Sequence, residues 1–380
     1  MNPIKKLVAA LSLTAIAITT IAEPSEPSAA AEQLIENFSL REGKTASSEH
    51  PRWKKPKQIV VAVPGAYQAL AQPVIASLQS IAGDIPIKLY IPKAGQPAPE
   101  YLKHSEVVLG SCYGELLKQL PELIWFQNFS SGSEACTATS GVKNTDFILT
   151  NAQRLSSPAI AEHAIAMMMS LGRDLPFYQR NQRERKWQRN PAGNANREIS
   201  GQTMLILGLG GIGTEVAKRA HGLGMRVIAT RNSSRNGPDY VAQVGLASEM
   251  NELAKQADVV VNALPFTADT ANIIDEAFFN AMKNGSFYIS VGRGKTTNQD
   301  ALIQALNSKH LAGAGLDVTD PEPLPNDHPL WTTENLIITP HSAGASMAGF
   351  QRGFILYQEN LRRYLQGEKL LNVVNIQRGY

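Results

Sequence analysis

The sequence predicts an α/β protein of two doubly wound, parallel-sheet domains. Three observations carry that expectation. The length of 380 residues exceeds what one ordinary core supports. From residue 58 onward, short apolar runs alternate with longer amphipathic stretches, the pattern of buried parallel strands covered by helices on both faces. The alternation comes as two series with one long helical stretch between them, which argues for two such sheets.

The first series has apolar runs at 59–63, 107–111, 123–129 and 147–151. The second has them at 204–208, 226–230, 259–264, 287–291, 315–318 and 336–339. The separating stretch, 158–180, opens after Ser156-Ser157-Pro158, and proline is tolerated in a first helical turn. A final amphipathic stretch, 345–366, stops at Gly367 and is expected to return to the first domain. The expected division is therefore 57–155 completed by 345–380, and 156–344.

The N-terminus is of another kind. Lys5 and Lys6 precede an uncharged stretch, 7–22, that ends in Thr20-Ile21-Ala22 and is followed by Glu23-Pro24-Ser25-Glu26-Pro27. Basic, apolar, small and polar segments in this order read as a secretory signal over 1–22. Its sixteen apolar or hydroxyl-bearing residues fall short of the roughly 20 that a spanning helix needs. The expected product is exported, periplasmic or secreted, with no membrane span after cleavage. The alternatives are an uncleaved anchor, or a misassigned start and a cytoplasmic protein. Residues 23–56, rich in Pro, Ser, Glu and Lys, read as a linker.

Composition excludes several classes. Apolar residues at 43%, charged residues at 18% and a net charge of +3 give no global case for nucleic acid or an anionic membrane surface. The one basic cluster, Arg180, Arg183, Arg185, Lys186 and Arg189 around Trp187, reads as a helix exit and solvated arm. The two cysteines, Cys112 and Cys136, form no metal-ligand pattern, so no metal is expected. They read as small semi-buried thiols, or as one disulfide if the protein works outside the cytosol.

Chemistry enters with Gly208-Leu209-Gly210-Gly211-Ile212-Gly213, set between the apolar run 204–207 and an amphipathic stretch from Thr214. In that context GxGxxG marks a Rossmann dinucleotide site. Gly208 permits the tight turn, Gly210 lets backbone approach the pyrophosphate, and Gly213 lets helix and strand pack. The helix start, with Gly211 and Ile212, offers amides and a positive dipole end to phosphate. An NAD site places Asp or Glu about 20 residues further on, at the end of the next strand. Here that position is Arg231, followed by Ser233, Ser234 and Arg235. Guanidiniums and hydroxyls suit a 2′-phosphate, so NADP(H) is predicted, with NAD possible.

Three residues near later strand ends stand out: Arg293 in Val291-Gly292-Arg293-Gly294, Glu322 in Asp320-Pro321-Glu322-Pro323, and His341 in Thr339-Pro340-His341-Ser342-Ala343. Ligands bind at the carboxyl ends of strands in open α/β sheets. With the glycine motif, Pro158-Ala159-Ile160-Ala161-Glu162-His163 and Leu264-Pro265-Phe266-Thr267-Ala268-Asp269-Thr270, these segments resemble the D-isomer-specific 2-hydroxyacid dehydrogenases from about residue 120 to the C-terminus. Arg231 resembles the NADPH-using glyoxylate and hydroxypyruvate reductase branch.

The resemblance implies a flavodoxin-like substrate domain beside the Rossmann domain, a homodimer, and a substrate site in a cleft between domains. It assigns Leu264, Pro265, Thr270, Val291, Gly292, Asp317 and Ala343 to the cofactor. On the substrate side it points to Gly110-Ser111-Cys112-Tyr113 and to the loop with Ser131, Gly132 and Ser133, whose amides open a helix and could hold a carboxylate. Neither loop has Lys or Arg, which favours a small unphosphorylated 2-keto acid.

The chemistry of the residues agrees. Reduction of a 2-keto acid needs a proton donor for the developing alkoxide and a cation for the carboxylate. His341 suits the first, with Glu322 favouring the imidazolium and fixing the ring. Arg293 suits the second and would polarise the carbonyl. His163, in an apolar run beside Met167-Met168-Met169, reads as core packing or helix positioning. The alternative to an enzyme is a dinucleotide-sensing binding protein without turnover. Retention of Arg293, Glu322 and His341 together argues for turnover.

Overall fold

The computed structural model describes residues 26–93, 96, 98–112, 114–137, 146–189, 197–232 and 234–377. The predicted signal at 1–22 lies outside the described residues, as do Tyr113 and Ser233. Among the described residues no helix is long and apolar enough to cross a membrane, and no group of ligating side chains could hold a metal ion. The chain divides into two compact units, one running to Leu155 and resuming at Met347, the other spanning Ser156–Ser346.

In the first unit, strands β1 (Ile59–Ala62), β2 (Ile87–Tyr90), β3 (Val107–Gly110), β4 (Trp125–Asn128) and β5 (Ile148–Thr150) form a parallel sheet of order β2-β1-β3-β4-β5. This is the flavodoxin-like order. β1 and β3 are buried throughout, as continuous apolar runs require in a two-faced sheet, and β4 is buried with them although it ends in Gln127 and Asn128. β2 escaped the sequence reading because it is an edge strand, half-buried, with Lys88 in its middle. The C-terminal helix Met347–Leu365 belongs to this unit and ends at Gly367, whose φ is +74°. Its Tyr364 stacks on Trp125 of β4 with ring centroids 5.2 Å apart.

Residues 26–56 are not a linker. Ser28 caps helix α1 (Ala29–Phe38) by accepting from the Ala31 amide. The helix buries Ala31 and Leu34, Leu40 is buried after it, and Glu42 bridges Leu371 in antiparallel fashion. Trp53 donates from its indole to the Tyr364 carbonyl at 3.1 Å. Averaged composition hid this. Ala-Ala-Ala-Glu-Gln-Leu-Ile-Glu is a strong helix former, and the Pro, Ser and Lys that suggested disorder flank it. A second correction concerns the cysteines. Cys112 and Cys136 are disulfide-bonded rather than free thiols, because the segment after β3 and the helical turn Glu134–Thr137 bring residues 24 apart in sequence to a Cα separation of 5.2 Å.

In the second unit, β6 (Thr203–Leu207), β7 (Arg226–Arg231), β8 (Gln243–Leu246), β9 (Val259–Asn262), β10 (Ser286–Ser290), β11 (Leu311–Leu316) and β12 (Leu336–Ile338) form an all-parallel sheet of order β12-β11-β10-β9-β6-β7-β8. It is the Rossmann order with one strand added. β11 starts earlier than the predicted 315–318 because glycine discourages a strand reading. A Cβ on Gly315 would sit 2.8 Å from Met167 Sδ, so the glycine admits that side chain. The predicted 158–180 helix is two helices, Ser157–Gly172 and Leu175–Arg183, broken at Asp174 in the left-handed region at φ 52°.

Candidate active site

Strand order sets the order of the site. Going from β12 to β7 along the carboxyl edge of the second unit's sheet, the strands lead to His341, to Asp317 and Glu322, to Arg293, to Leu264, to Gly208 and to Arg231. These residues therefore lie at or just beyond one edge, where α/β sheets bind ligands.

Glu322 and His341 meet directly. Glu322 Oε2 lies 2.7 Å from His341 Nδ1, and Glu322 Oε1 accepts from the Thr319 amide at 3.0 Å. A carboxylate can only accept, so Nδ1 carries the hydrogen and Nε2 is left to exchange a proton elsewhere. The peptide bonds before Pro321 and Pro323 are cis. Arg293 follows β10 and is half-buried, with its guanidinium donating to the Gly292 carbonyl at 2.8 Å. The next residue, Gly294, packs closely on the loop that carries Glu322: a Cβ there would collide with the Thr319 carbonyl.

His341 sits in the left-handed region at φ 50°. Such a backbone costs roughly 1–2 kcal/mol for a non-glycine residue, so its surroundings must impose it. Asp317, 2% exposed, does so. Its carbonyl accepts from the His341 amide at 2.8 Å, and its carboxylate accepts from the Ser342 and Ala343 amides at 2.9 and 3.0 Å. The Thr339 hydroxyl also donates to that carboxylate at 2.5 Å, which leaves its oxygen to accept from His163 Nε2 at 2.9 Å. His163 therefore ties its helix to the His341 loop, which makes the expected helix positioning specific. Thr339 was missed altogether. Its signal was a hydroxyl residue directly before Pro340-His341.

The glycine motif has the form a dinucleotide requires. Gly208 has φ +91°, a Cβ on Gly213 would strike the Gly208 carbonyl, and nothing occupies the space where a Gly210 Cβ would stand. Helix Gly211–Gly222 starts there, so its first-turn amides face that open side. Thr270 turns inward on its own loop, donating to the Pro265 carbonyl at 2.8 Å and accepting from the Thr267 amide at 2.7 Å. Its hydroxyl shapes the segment carrying Leu264 and Pro265. Val291, Gly292 and Ala343 are buried beside the strand ends.

At the end of β7, Arg231 donates to the Asn236 carbonyl at 2.8 Å, and Ser234 Oγ accepts from the Asn236 amide at 3.4 Å. Arg235 is already engaged by Glu249 at 2.7 Å. The Leu246 amide, and after it Arg235, hold the Glu249 carboxyl below its usual range. Glu249 is a carboxylate that sequence spacing could not have placed beside the arginines.

The substrate-side residues belong to the first unit. The Ser131 hydroxyl donates to the Ala152 carbonyl, and the Gly132 amide donates to Ser130 Oγ at 3.3 Å, so this amide is already engaged. Ser133 is 3% exposed. The helix expected to follow is a single turn, Glu134–Thr137, which weakens the expected amide cradle for a carboxylate. Asn128, buried and missed by the sequence reading, holds the region together. Its side chain accepts from the Cys112 and Ser130 amides and donates to the Gly132 carbonyl at 2.7 Å.

Residues 165–343 match the family described as "D-isomer specific 2-hydroxyacid dehydrogenase, NAD binding domain". A glyoxylate reductase of Korarchaeum cryptofilum is 31% identical over 264 residues, covering 69% of this chain and 79% of the relative. A putative 2-hydroxyacid dehydrogenase of Haemophilus influenzae is 32% identical, covering 70% and 86%. Among solved structures, a D-isomer-specific 2-hydroxyacid dehydrogenase of Xanthobacter autotrophicus, in complex with NADPH and MES, superposes with a TM-score of 0.72 at 26% identity. It covers 84% of this chain and 99% of its own.

Proposed function

This chain belongs to the D-isomer-specific 2-hydroxyacid dehydrogenases, and from that premise we propose that it reduces a small, unphosphorylated 2-keto acid such as glyoxylate or hydroxypyruvate with NADPH. The observation that carries the reading is the 2.7 Å contact between Glu322 and His341 at adjacent strand ends, with Arg293 on the next. In this reading a bound reduced nicotinamide supplies the hydride. His341 delivers a proton from Nε2 to the developing alkoxide while Glu322 keeps the ring oriented and its imidazolium stabilised. Arg293 binds the substrate carboxylate and polarises the carbonyl.

Holding the cofactor falls to the amides of Gly211, Ile212 and Gly213, to the Leu264-Pro265 segment, and to Val291, Gly292, Asp317 and Ala343. Arg231 and Ser234 favour a 2′-phosphate, and the Xanthobacter relative was crystallised with NADPH, which supports NADP(H) over NAD(H). The absence of Lys and Arg from the loops at 110–113 and 129–134 supports an unphosphorylated substrate. The test is cofactor oxidation followed by absorbance with glyoxylate, hydroxypyruvate and phosphorylated keto acids, each with NADPH and NADH. Preference for a phosphorylated acid, or a kcat/KM ratio for NADPH over NADH at or below unity, would overturn the corresponding part.

We further propose export, on the signal-like residues 1–22 and the Cys112–Cys136 disulfide, and a homodimer, on the resemblance to the family. Cell fractionation with N-terminal sequencing tests the first, and sedimentation of the purified protein tests the second. A cytosolic full-length chain or a monomer refutes the respective proposal.

A further inference from the structure

Beneath Arg293 lies a buried polar cluster that the catalytic reading does not use. β9 and β10 run side by side, with Asn262 paired to Ser290 at their carboxyl ends. Asn262 is fully buried in a strand otherwise made of valines. Such a residue is unfavourable unless each of its polar atoms is satisfied. Its Oδ1 accepts from the Leu264 amide at 3.1 Å. Its Nδ2 donates to Thr296 Oγ1 at 2.8 Å and to the Tyr288 hydroxyl at 2.9 Å. The Tyr288 hydroxyl in turn lies 2.6 Å from Thr297 Oγ1.

The direction of the first branch is fixed by counting hydrogens. Thr296 Oγ1 lies 2.7 Å from the Arg293 carbonyl, which can only accept, so the single hydroxyl hydrogen is spent there. Thr296 must then accept from Asn262. The chain runs Asn262 amide, Thr296 hydroxyl, Arg293 carbonyl, inside a site where Thr296 and Asn262 have no exposure. A second tie runs between the same loops: a Cβ on Gly292 would lie 2.5 Å from the Leu264 carbonyl.

We propose that Asn262 and Thr296 are positioning residues for Arg293, and that through Asn262 they set the arginine turn against the Leu264-Pro265 segment. The inference rests on the reading of Arg293 as the group that binds the keto acid. Thr297 supplies an internal control. It is the next residue, is 4% exposed, and shares the same buried cluster, but its hydroxyl lies 2.6 Å from Tyr288, accepts from Asn262 Nδ2 only at 3.4 Å, and does not bond the Arg293 carbonyl as Thr296 does.

The experiment compares Thr296→Val, Thr297→Val and Thr296→Ser in the full-length protein. Each valine removes one buried hydroxyl at nearly constant shape, so both should lower thermal stability alike. Thr296→Val should raise KM for the keto acid about tenfold, with NADPH affinity by fluorescence titration held within about twofold. Thr296→Ser should restore KM, and Thr297→Val should leave it unchanged. Should valine prevent purification, the alanine pair reads the same contrast. Equal KM values in the Thr296 and Thr297 variants overturn the inference. Arg293→Ala separates this from the parent reading. If that variant loses turnover while Thr296→Val keeps a normal KM, the inference alone fails. If Arg293→Ala retains turnover, the parent reading fails and this one with it.

Discussion

Glu322 reaches His341 on the side of the ring away from the exchangeable proton: Oε2 bonds Nδ1 at 2.7 Å, and Oε1 is itself held by the Thr319 amide. The carboxylate is therefore an orienting group for the histidine. His341→Ala should lower kcat at least about a hundredfold, the lower scale of general acid catalysis. Glu322→Gln, which keeps an oxygen that can accept from Nδ1 but removes the charge, should lower kcat less and change its pH profile. Near-normal turnover in His341→Ala would refute the assignment.

The arginines after β7 differ in their surroundings, and cofactor discrimination should follow that difference. Among the described residues Arg231 bonds the Asn236 carbonyl, whereas Arg235 is paired with Glu249. A lost charged hydrogen bond is worth about 1.5–3 kcal/mol. Arg231→Ala should therefore raise KM for NADPH between about tenfold and a hundredfold and leave NADH alone. Arg235→Ala should do less, and Glu249→Gln should improve NADPH use by releasing Arg235. Equal effects of the two alanine variants would show that Glu249 does not matter.

Much of this was legible because it is written in local pattern. Fully buried strands appear as apolar runs, and the glycine turn appears as spacing. Arg293, Glu322 and His341 each follow such a run within a few residues. What was hidden depends on tertiary neighbours. Edge strands β2 and β8 lack the buried signature, and Gly315 looks like a breaker until Met167 is seen against it. Helix α1 was masked by its flanks. Asn262 and Thr296 were visible as residues, but their meaning lies in hydrogen bonds across strands.

Cys112, in the first of the two loops that the substrate reading singles out, is bonded to Cys136 in the helical turn Glu134–Thr137 that follows the second, and Asn128 joins the two loops by hydrogen bonds. Closing a loop of 24 residues by a disulfide stabilises by about 3 kcal/mol in the chain-entropy view. Reduction, or the double replacement Cys112→Ser with Cys136→Ser, should lower the melting temperature and raise KM for the keto acid. NADPH affinity should not move, because the cofactor residues lie in the other unit. A KM indifferent to reduction, with loss of stability alone, would make the disulfide purely structural.

Acid should loosen the C-terminal helix first. Arg362, itself buried, bonds both Glu359 and Glu368, and it holds the Glu368 carboxyl below its usual range. A depressed folded value means that the contribution is present above the ordinary glutamate pKa of about 4.3 and is lost as pH falls through the folded value. The melting temperature should thus fall below about pH 4 more steeply in the native protein than in Glu368→Gln. Parallel curves for the two proteins would remove Glu368 from the account.

Helix α1 should matter for stability and not for chemistry. Leu34 is 6% exposed and packs in the same apolar cluster as Leu361, Tyr364 and Leu371, so Leu34→Ala leaves a cavity under the C-terminal helix. Leucine-to-alanine changes in cores cost about 2–5 kcal/mol, the spread reflecting how far the site collapses. Here collapse is limited by ties at the helix's C-terminal end. Arg154 holds the Phe38 carbonyl at the end of the helix, and Arg363 pairs with Glu42 just beyond it at 2.7 Å. The cost should therefore lie in the upper half of that range, measured by denaturant unfolding. The proposed catalytic residues Arg293, Glu322 and His341 belong to the other unit, so kcat and KM below the unfolding transition should stay at native values. A variant with native stability would mean that residues 26–56 are only loosely attached. A stable variant with altered kcat would mean that they reach the chemistry.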